Sequence, residues 1–313
     1  MKGIDLSRAY FEQYGKEMLE KEFAELLPFL AAGLAGSGSE CFGYDDEVSR
    51  DHDFDPGFCI FIPGEDKVSR KDAFRLERAY HDLPKEFMGI ERSLQNPVGG
   101  ARRGVIRIED FLMEKTGTPD GCLTLSQWVT VPEQSLAEAT NGELFFDNPG
   151  QFTEVREALA FFPGDIMKKK LAGQLLLMGQ SGQYNYLRCI RHGEKAAAQL
   201  AAVEFVRSAS SVLFLLNRRY QPYYKWCFRA MRSLPRLSIL AELLEYLLTT
   251  DNEDGIYMDK YDVIESISSD IAAELERQNL TGVSAAELEK HAYSVNDSID
   301  DPDLRNMHIL AAV

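Results

Sequence analysis

Gly38 to Asp53, reading GSECFGYDDEVSRDHD, is the stretch on which the fold turns. It sets a Gly38-Ser39 pair and a second glycine, Gly43, ahead of two aspartates, Asp51 and Asp53, spaced i, i+2. On an extended strand successive side chains point to opposite faces, so the two carboxylates project from one face about 7 Å apart along the chain. Carboxylates so placed suit hard, oxygen-seeking Mg²⁺. Upstream, Gly38-Ser39 can form a turn whose backbone N–H groups and hydroxyl face a phosphate, because glycine reaches backbone angles that other residues avoid. Gly43 permits close approach. Beyond the aspartates, Phe58-Cys59-Ile60-Phe61-Ile62 reads as a buried strand. Asp55 continues the alternation, but Pro56 and Gly57 turn the chain there, so it is a spare ligand or a turn residue, with the turn favoured.

Working outward, residues 5–33 carry Leu6, Tyr10, Tyr14 and Met18, then Phe23, Leu26, Leu27 and Leu30, at helical spacing. This predicts one or two amphipathic helices packing on a sheet and ending in the glycine-rich turn at 33–38. Ser69 to His81 reads as another helix. Val105 to Ile108 alternates as a strand running into Glu109 and Asp110. After about residue 150 the patterning is helical: Phe152 to Phe162; Ile166 to about Ser181, with Asp165 as cap; and about Tyr184 to Tyr220, where Pro222 interrupts. Further helices are expected at 223–233, 236–249 and 257–279. The fold class is therefore α+β, a mixed sheet with flanking helices over 1–150 and an all-α helical bundle over 151–313.

Fifty acidic residues against 34 basic give a net charge of −16, which repels nucleic acid over most of the surface and argues against binding long DNA or RNA. Arg218-Arg219, the Arg229, Arg232, Arg236 series and Lys168-Lys169-Lys170 are the basic exceptions, the last reading as a solvated helix face. The N-terminal MKGIDLSRAYFEQY lacks the apolar core of a signal peptide, and no run of some 18 apolar residues appears, so a cytoplasmic protein without membrane contact is expected. Five scattered cysteines without a C-x-x-C pair suggest neither disulfides nor zinc.

The spacing of Gly38-Ser39, Gly43 and Asp51-x-Asp53 resembles the nucleotidyltransferase superfamily of DNA polymerase beta and of the kanamycin nucleotidyltransferases. Two departures, Arg50 between Ser49 and Asp51 and His52 between the aspartates, mark a divergent branch. With RRYQPYYKW at 218–226, the string FGYDDEVSRDHDFDP looks like a bacterial two-domain family catalogued as a domain of unknown function, over nearly the whole chain. The resemblance implies a nucleotidyltransferase-fold sheet and transfer of NMP from a nucleoside triphosphate, its substrate, to an acceptor hydroxyl on a small molecule or protein, releasing pyrophosphate. Asp51 and Asp53 would be catalytic and hold two Mg²⁺ ions, with Mn²⁺ able to replace them. Gly38, Ser39 and Gly43 would grip phosphates. A third carboxylate is expected on a later strand, with Glu109 the first choice and Asp110 the second. Basic and tyrosine residues of the helical domain, here Arg219, Tyr223 and Lys225, would contact the nucleotide, while Trp226 reads as core.

Competing chemistry is thin. His81, His192, His291 and His308 lie far apart, and Gln180-Ser181-Gly182 does not complete a nucleophile elbow, having Gln183 where the glycine two residues past the serine belongs. The alternative reading is a catalytically inactive nucleotide-sensing or protein-interaction module that keeps the fold.

Overall fold

The computed structural model of the chain describes residues 1–48, 54–92 and 103–313. It divides into two compact units: Met1–Leu123 with Ser135–Ala160, and Thr124–Gln134 with Phe161–Val313.

The first unit opens with α1 (Gly3–Tyr10), a wider π-helical turn at Phe11–Gly15, and α2 (Lys16–Glu22). The helix does not run to residue 33 as the apolar spacing predicts. A 3₁₀ turn with Pro28 inside it, Leu27–Phe29, breaks the pattern, and β1 (Ala31–Leu34) follows. Then come β2 (Cys59–Ile62), α3 (Arg70–Asp82), the small hairpin β3 (Glu86–Phe87) and β4 (Ile90–Glu91), β5 (Gly104–Arg107) and α4 (Ile108–Thr116). The short helix α5 (Leu125–Thr130), which belongs to the second unit, and α6 (Glu133–Thr140), whose first two residues do, lead to β6 (Glu143–Asp147) and α7 (Gln151–Ala158).

Among the described residues β1, β2, β5 and β6 form one mixed sheet in the order β5-β2-β1-β6, in which β2 runs parallel to β5 and β1 antiparallel to both its neighbours. Strand β2 is buried on both faces. Phe58, Ile60 and Ile62 pack with Leu6, Tyr10, Phe11 and Leu19. Phe61 turns the other way, its ring 5.5 Å from Phe111 and 4.6 Å from Phe152. That double burial is why the run reads as continuous apolar residues rather than as an alternation. In β1, a bulge against β6 falls at Gly33, where a Cβ would lie 2.3 Å from the Glu143 carbonyl oxygen, so only glycine fits.

The second unit is helical: α8 (Gly164–Met178), a π-helical stretch Gly179–Tyr186, α9 (Leu187–Arg191), α10 (Lys195–Leu216), α11 (Tyr224–Met231), α12 (Leu240–Thr249), α13 (Ile256–Arg277), α14 (Leu288–Asp297) and α15 (Pro302–Asn306). The predicted helix from Tyr184 to Tyr220 is instead split at His192-Gly193, where Gly193 takes φ 74°. Helix α10 is long and apolar enough to cross a membrane, but 61% of its most apolar window is buried inside the unit, where Phe205, Ala209 and Leu213 form core. Asp165 does not cap α8, whose N-cap is Pro163; its carboxylate accepts the N–H groups of Asp300 and Asp301 at 3.3 and 2.9 Å. The lysine run is no solvated face either. Lys169 is fully buried and donates to Asn296 Oδ1 at 2.9 Å and the Met307 carbonyl at 2.7 Å, fastening the C-terminal helices to α8.

Candidate functional site

Because β1 is antiparallel to β2 and β5 is parallel to it, the C-terminal end of β1 and the N-terminal ends of β2 and β5 lie at one end of the sheet. The glycine-rich turn follows β1 there. Gly36 and Gly38 take φ of 108° and 128°, the left-handed half of the map. Asn141 fixes Gly36 from both sides, accepting its N–H at 2.9 Å and donating to its carbonyl at 2.8 Å. Ser37 Oγ donates to Glu138 Oε2 at 2.8 Å and accepts from Lys115 Nζ at 3.2 Å. The N–H groups of Ser37, Gly38 and Ser39 find no acceptor among the described residues. Adjacent backbone donors without acceptors are what an anion-binding turn presents.

Against this turn sits a buried ionic cluster. Arg103, which immediately precedes β5, donates to Glu40 Oε1 at 3.0 Å and to the Gly57 carbonyl at 2.9 Å, with Nε 3.4 Å from Asp55 Oδ1. The three side chains are 10, 6 and 8% exposed. Burial works against the Arg103 charge, and Asp55 and Glu40 more than restore it, holding the guanidinium above its ordinary value. Asp55 also accepts the Gly57 N–H at 2.6 Å, so it is the turn residue that Pro56 and Gly57 suggest. Tyr80 and Ser7 brace the same bend: the Tyr80 hydroxyl accepts the Phe58 N–H at 3.1 Å, and Ser7 Oγ donates to the Gly57 carbonyl at 2.8 Å. A Cβ on Gly38 would lie 2.4 Å from Glu40 Oε1.

Asp51 and Asp53, with Ser49, Arg50 and His52 around them, lie outside the described residues. The chain re-enters at Phe54, one residue before the Arg103 cluster. Among the described residues no group of three or more His, Cys, Asp or Glu side chains is arranged to hold a metal ion. Oxygen donors of the kind that suits Mg²⁺ are present at this sheet end in Glu40 and Asp55, beside the buried thiols of Cys41 and Cys59. Glu40 and Asp55, however, both turn to Arg103.

Gly38, Ser39 and Gly43 belong to this end of the sheet, and Gly43 is exposed with φ 70°. Glu109 and Asp110 do not. They occupy the first turn of α4, past the C-terminal end of β5. Glu109 Oε1 lies 2.6 Å from where a Gly64 Cβ would stand, beside the turn that leaves β2, and Arg107 ties that turn down through the Pro63 carbonyl at 2.7 Å. The length of β2, about 10 Å, separates them from Arg103.

In the helical unit, Arg219, Tyr223 and Lys225 are all exposed. Tyr223 and Tyr224 touch with ring centres 4.2 Å apart and planes tilted by 45°, and Lys225 Nζ lies 5.0 Å from the centre of the Trp226 ring. Trp226 is half-buried rather than core, with the Arg229 guanidinium also over its ring at 5.8 Å.

Sequence reasoning misses Glu40 and Arg103. Glu40 stands two residues past Gly38 in the decisive stretch, and Arg103 follows Arg102 directly before a strand, where a cation facing an acidic motif is a readable signal.

A family model described as a domain of unknown function (DUF4037) matches residues 128–227. The match takes in the RRYQPYYKW segment and ends before α12, and the Gly38–Asp53 stretch lies outside it. No curated protein and no solved structure matches the chain.

Proposed function

We propose that the chain is a metal-dependent nucleotidyltransferase moving NMP from a nucleoside triphosphate to an acceptor hydroxyl on a small molecule or a protein, acting in the cytoplasm. The observation that carries this reading is the glycine turn with three acceptor-free N–H groups at the sheet end where the chain re-enters from Asp51 and Asp53. Gly38 and Ser39 then hold β- and γ-phosphate oxygens through backbone donors, at no cost in reorganisation because Asn141, Lys115 and Glu138 already fix the turn. Arg103 compensates Glu40, so that carboxylate adds less repulsion against a phosphate beside Gly38. Asp51 and Asp53 would hold Mg²⁺, which when bound acidifies the attacking hydroxyl and neutralises the leaving pyrophosphate. Arg219, Tyr223 and Lys225 are the helical unit's candidates for nucleotide contact.

The test is calorimetric titration of each ribonucleoside triphosphate into the full chain with and without Mg²⁺, with Asp51→Asn alongside. Metal-dependent binding lost in the variant supports the site and justifies a screen for pyrophosphate release. No binding at millimolar nucleotide overturns the reading. A second reading, a module that binds nucleotide without turning it over, is favoured by the place of Glu109: the third carboxylate expected on a later strand lies at the far end of β2. Binding without pyrophosphate release, across an acceptor screen, selects it.

A further inference from the structure

The helical unit encloses a cavity of about 610 Å³ against α8, α10 and α11. Its wall carries four charged side chains, Glu133 and Glu204 against Lys170 and Arg207, two of each sign. Val203, Val206, Phe228 and Leu248 supply an apolar side. A cavity of this size, mostly apolar with a few converging polar groups, is the ordinary form of a small-molecule site.

Two of these groups are short of partners. Glu133 Oε1 accepts the Gln221 N–H at 2.6 Å, and its other oxygen has no hydrogen-bond partner among the described residues. Lys170 Nζ donates to the Ala312 carbonyl at 3.2 Å and lies 5.0 Å from the centre of the Phe162 ring. Acid and amine share the cavity, yet no ion pair joins them among the described residues. Burial accordingly pushes the Glu133 carboxyl up to about 7, and pulls the Lys170 ammonium down, with Glu133 only partly restoring it. A ligand carrying both charges would re-ionise both groups, whereas a polyanion such as a nucleotide would leave Glu133 and Glu204 facing like charge.

We propose that this cavity binds a small zwitterion of the amino-acid class, its ammonium on Glu133, its carboxylate on Lys170 and an apolar side chain against Phe228 and Leu248. The segment matched by the family model, 128–227, contains all four charged lining residues. The site is independent of the nucleotide reading and stands or falls without it.

The test uses the full chain, with L-leucine, L-methionine and L-phenylalanine as probes beside their methyl esters and N-acetyl derivatives, followed by calorimetry and thermal shift at millimolar concentration. The expected result is that a free amino acid binds, and that blocking either charge weakens binding at least about tenfold, the scale of a buried charge left unpaired. Glu133→Gln and Lys170→Met should each weaken it similarly. The ester and acetyl comparisons run on the wild-type chain, so they decide the matter even where a variant fails to fold. Equal binding of free and blocked forms, or no binding by any probe, overturns the proposal.

Discussion

Replacing Arg103 with methionine keeps most of the apolar stem and deletes the guanidinium, leaving the buried Glu40 and Asp55 carboxylates without their counter-charge. At an effective dielectric of about 20, unit charges at the observed separations of 3.0 and 3.4 Å attract by about 5 kcal/mol each before desolvation is subtracted. Breaking a buried pair from one side costs about 3–5 kcal/mol in practice. For a unit of this size that is a fall of about 10 °C in melting temperature. Because the chain has two units, amide exchange of peptides spanning 54–62 should accompany the melting curve, so that the loss is located in β2. In the variant the carboxylates favour their protonated forms, which raises their folded-state pKa above the unfolded value. The stability this confers is present at low pH and is lost as pH rises, so the deficit against wild type should be larger near about pH 7.5 than near about pH 5. Adding Glu40→Gln and Asp55→Asn should recover part of it. Wild-type melting and exchange near pH 7.5, or a deficit that grows on acidification, refutes the reasoning.

Three further outcomes are expected. Gly38→Ala should cost about 1–3 kcal/mol in a denaturant titration, since alanine meets both the 128° φ and the Glu40 oxygen at 2.4 Å. Glu109→Gln should leave nucleotide affinity within about twofold of wild type by calorimetry, being a strand length from the glycine turn. Glu133→Gln should raise the melting temperature near about pH 8 and leave it unchanged near about pH 4. The Glu133 pKa rises from 4.5 to about 7 on folding, so the folded state holds more protons than the unfolded one between those values and stability falls as pH rises through that window. Glutamine keeps the acceptor for the Gln221 N–H and removes the buried charge, worth at most about 3 kcal/mol.

The sheet and its helices were legible where local pattern and tertiary role agree. Phe58–Ile62 is apolar because both its faces are covered, and Ser69 announces α3 by accepting the Asp72 N–H as its cap. Strand β1 was illegible for the opposite reason: Ala31, Ala32 and Leu34 are good helix formers, and only pairing with β2 and β6 makes them a strand. At the site, the glycines declare their turn through spacing, and Asp55 declares its own through Pro56. The partnership of Glu40 with Arg103 joins residues 63 apart in the chain, a pairing that no local window contains. The place of Glu109 was not legible because two acids after a strand look the same whichever end of the sheet they leave from, and the direction of β5 relative to β1 is settled only by assembly.

The first unit's sheet is completed by β6, a strand that follows the excursion of residues 124–134 into the other unit. On the ribosome, β1 is therefore made long before the strand that covers its outer edge. At about 5–20 residues per second the interval is on the order of ten seconds. During that time Ala31–Leu34 presents an unpaired apolar edge of the kind that recruits other chains. A stop codon anywhere between β5 and β6 makes the exposure permanent, so fragments ending near residue 123 should precipitate rather than fold.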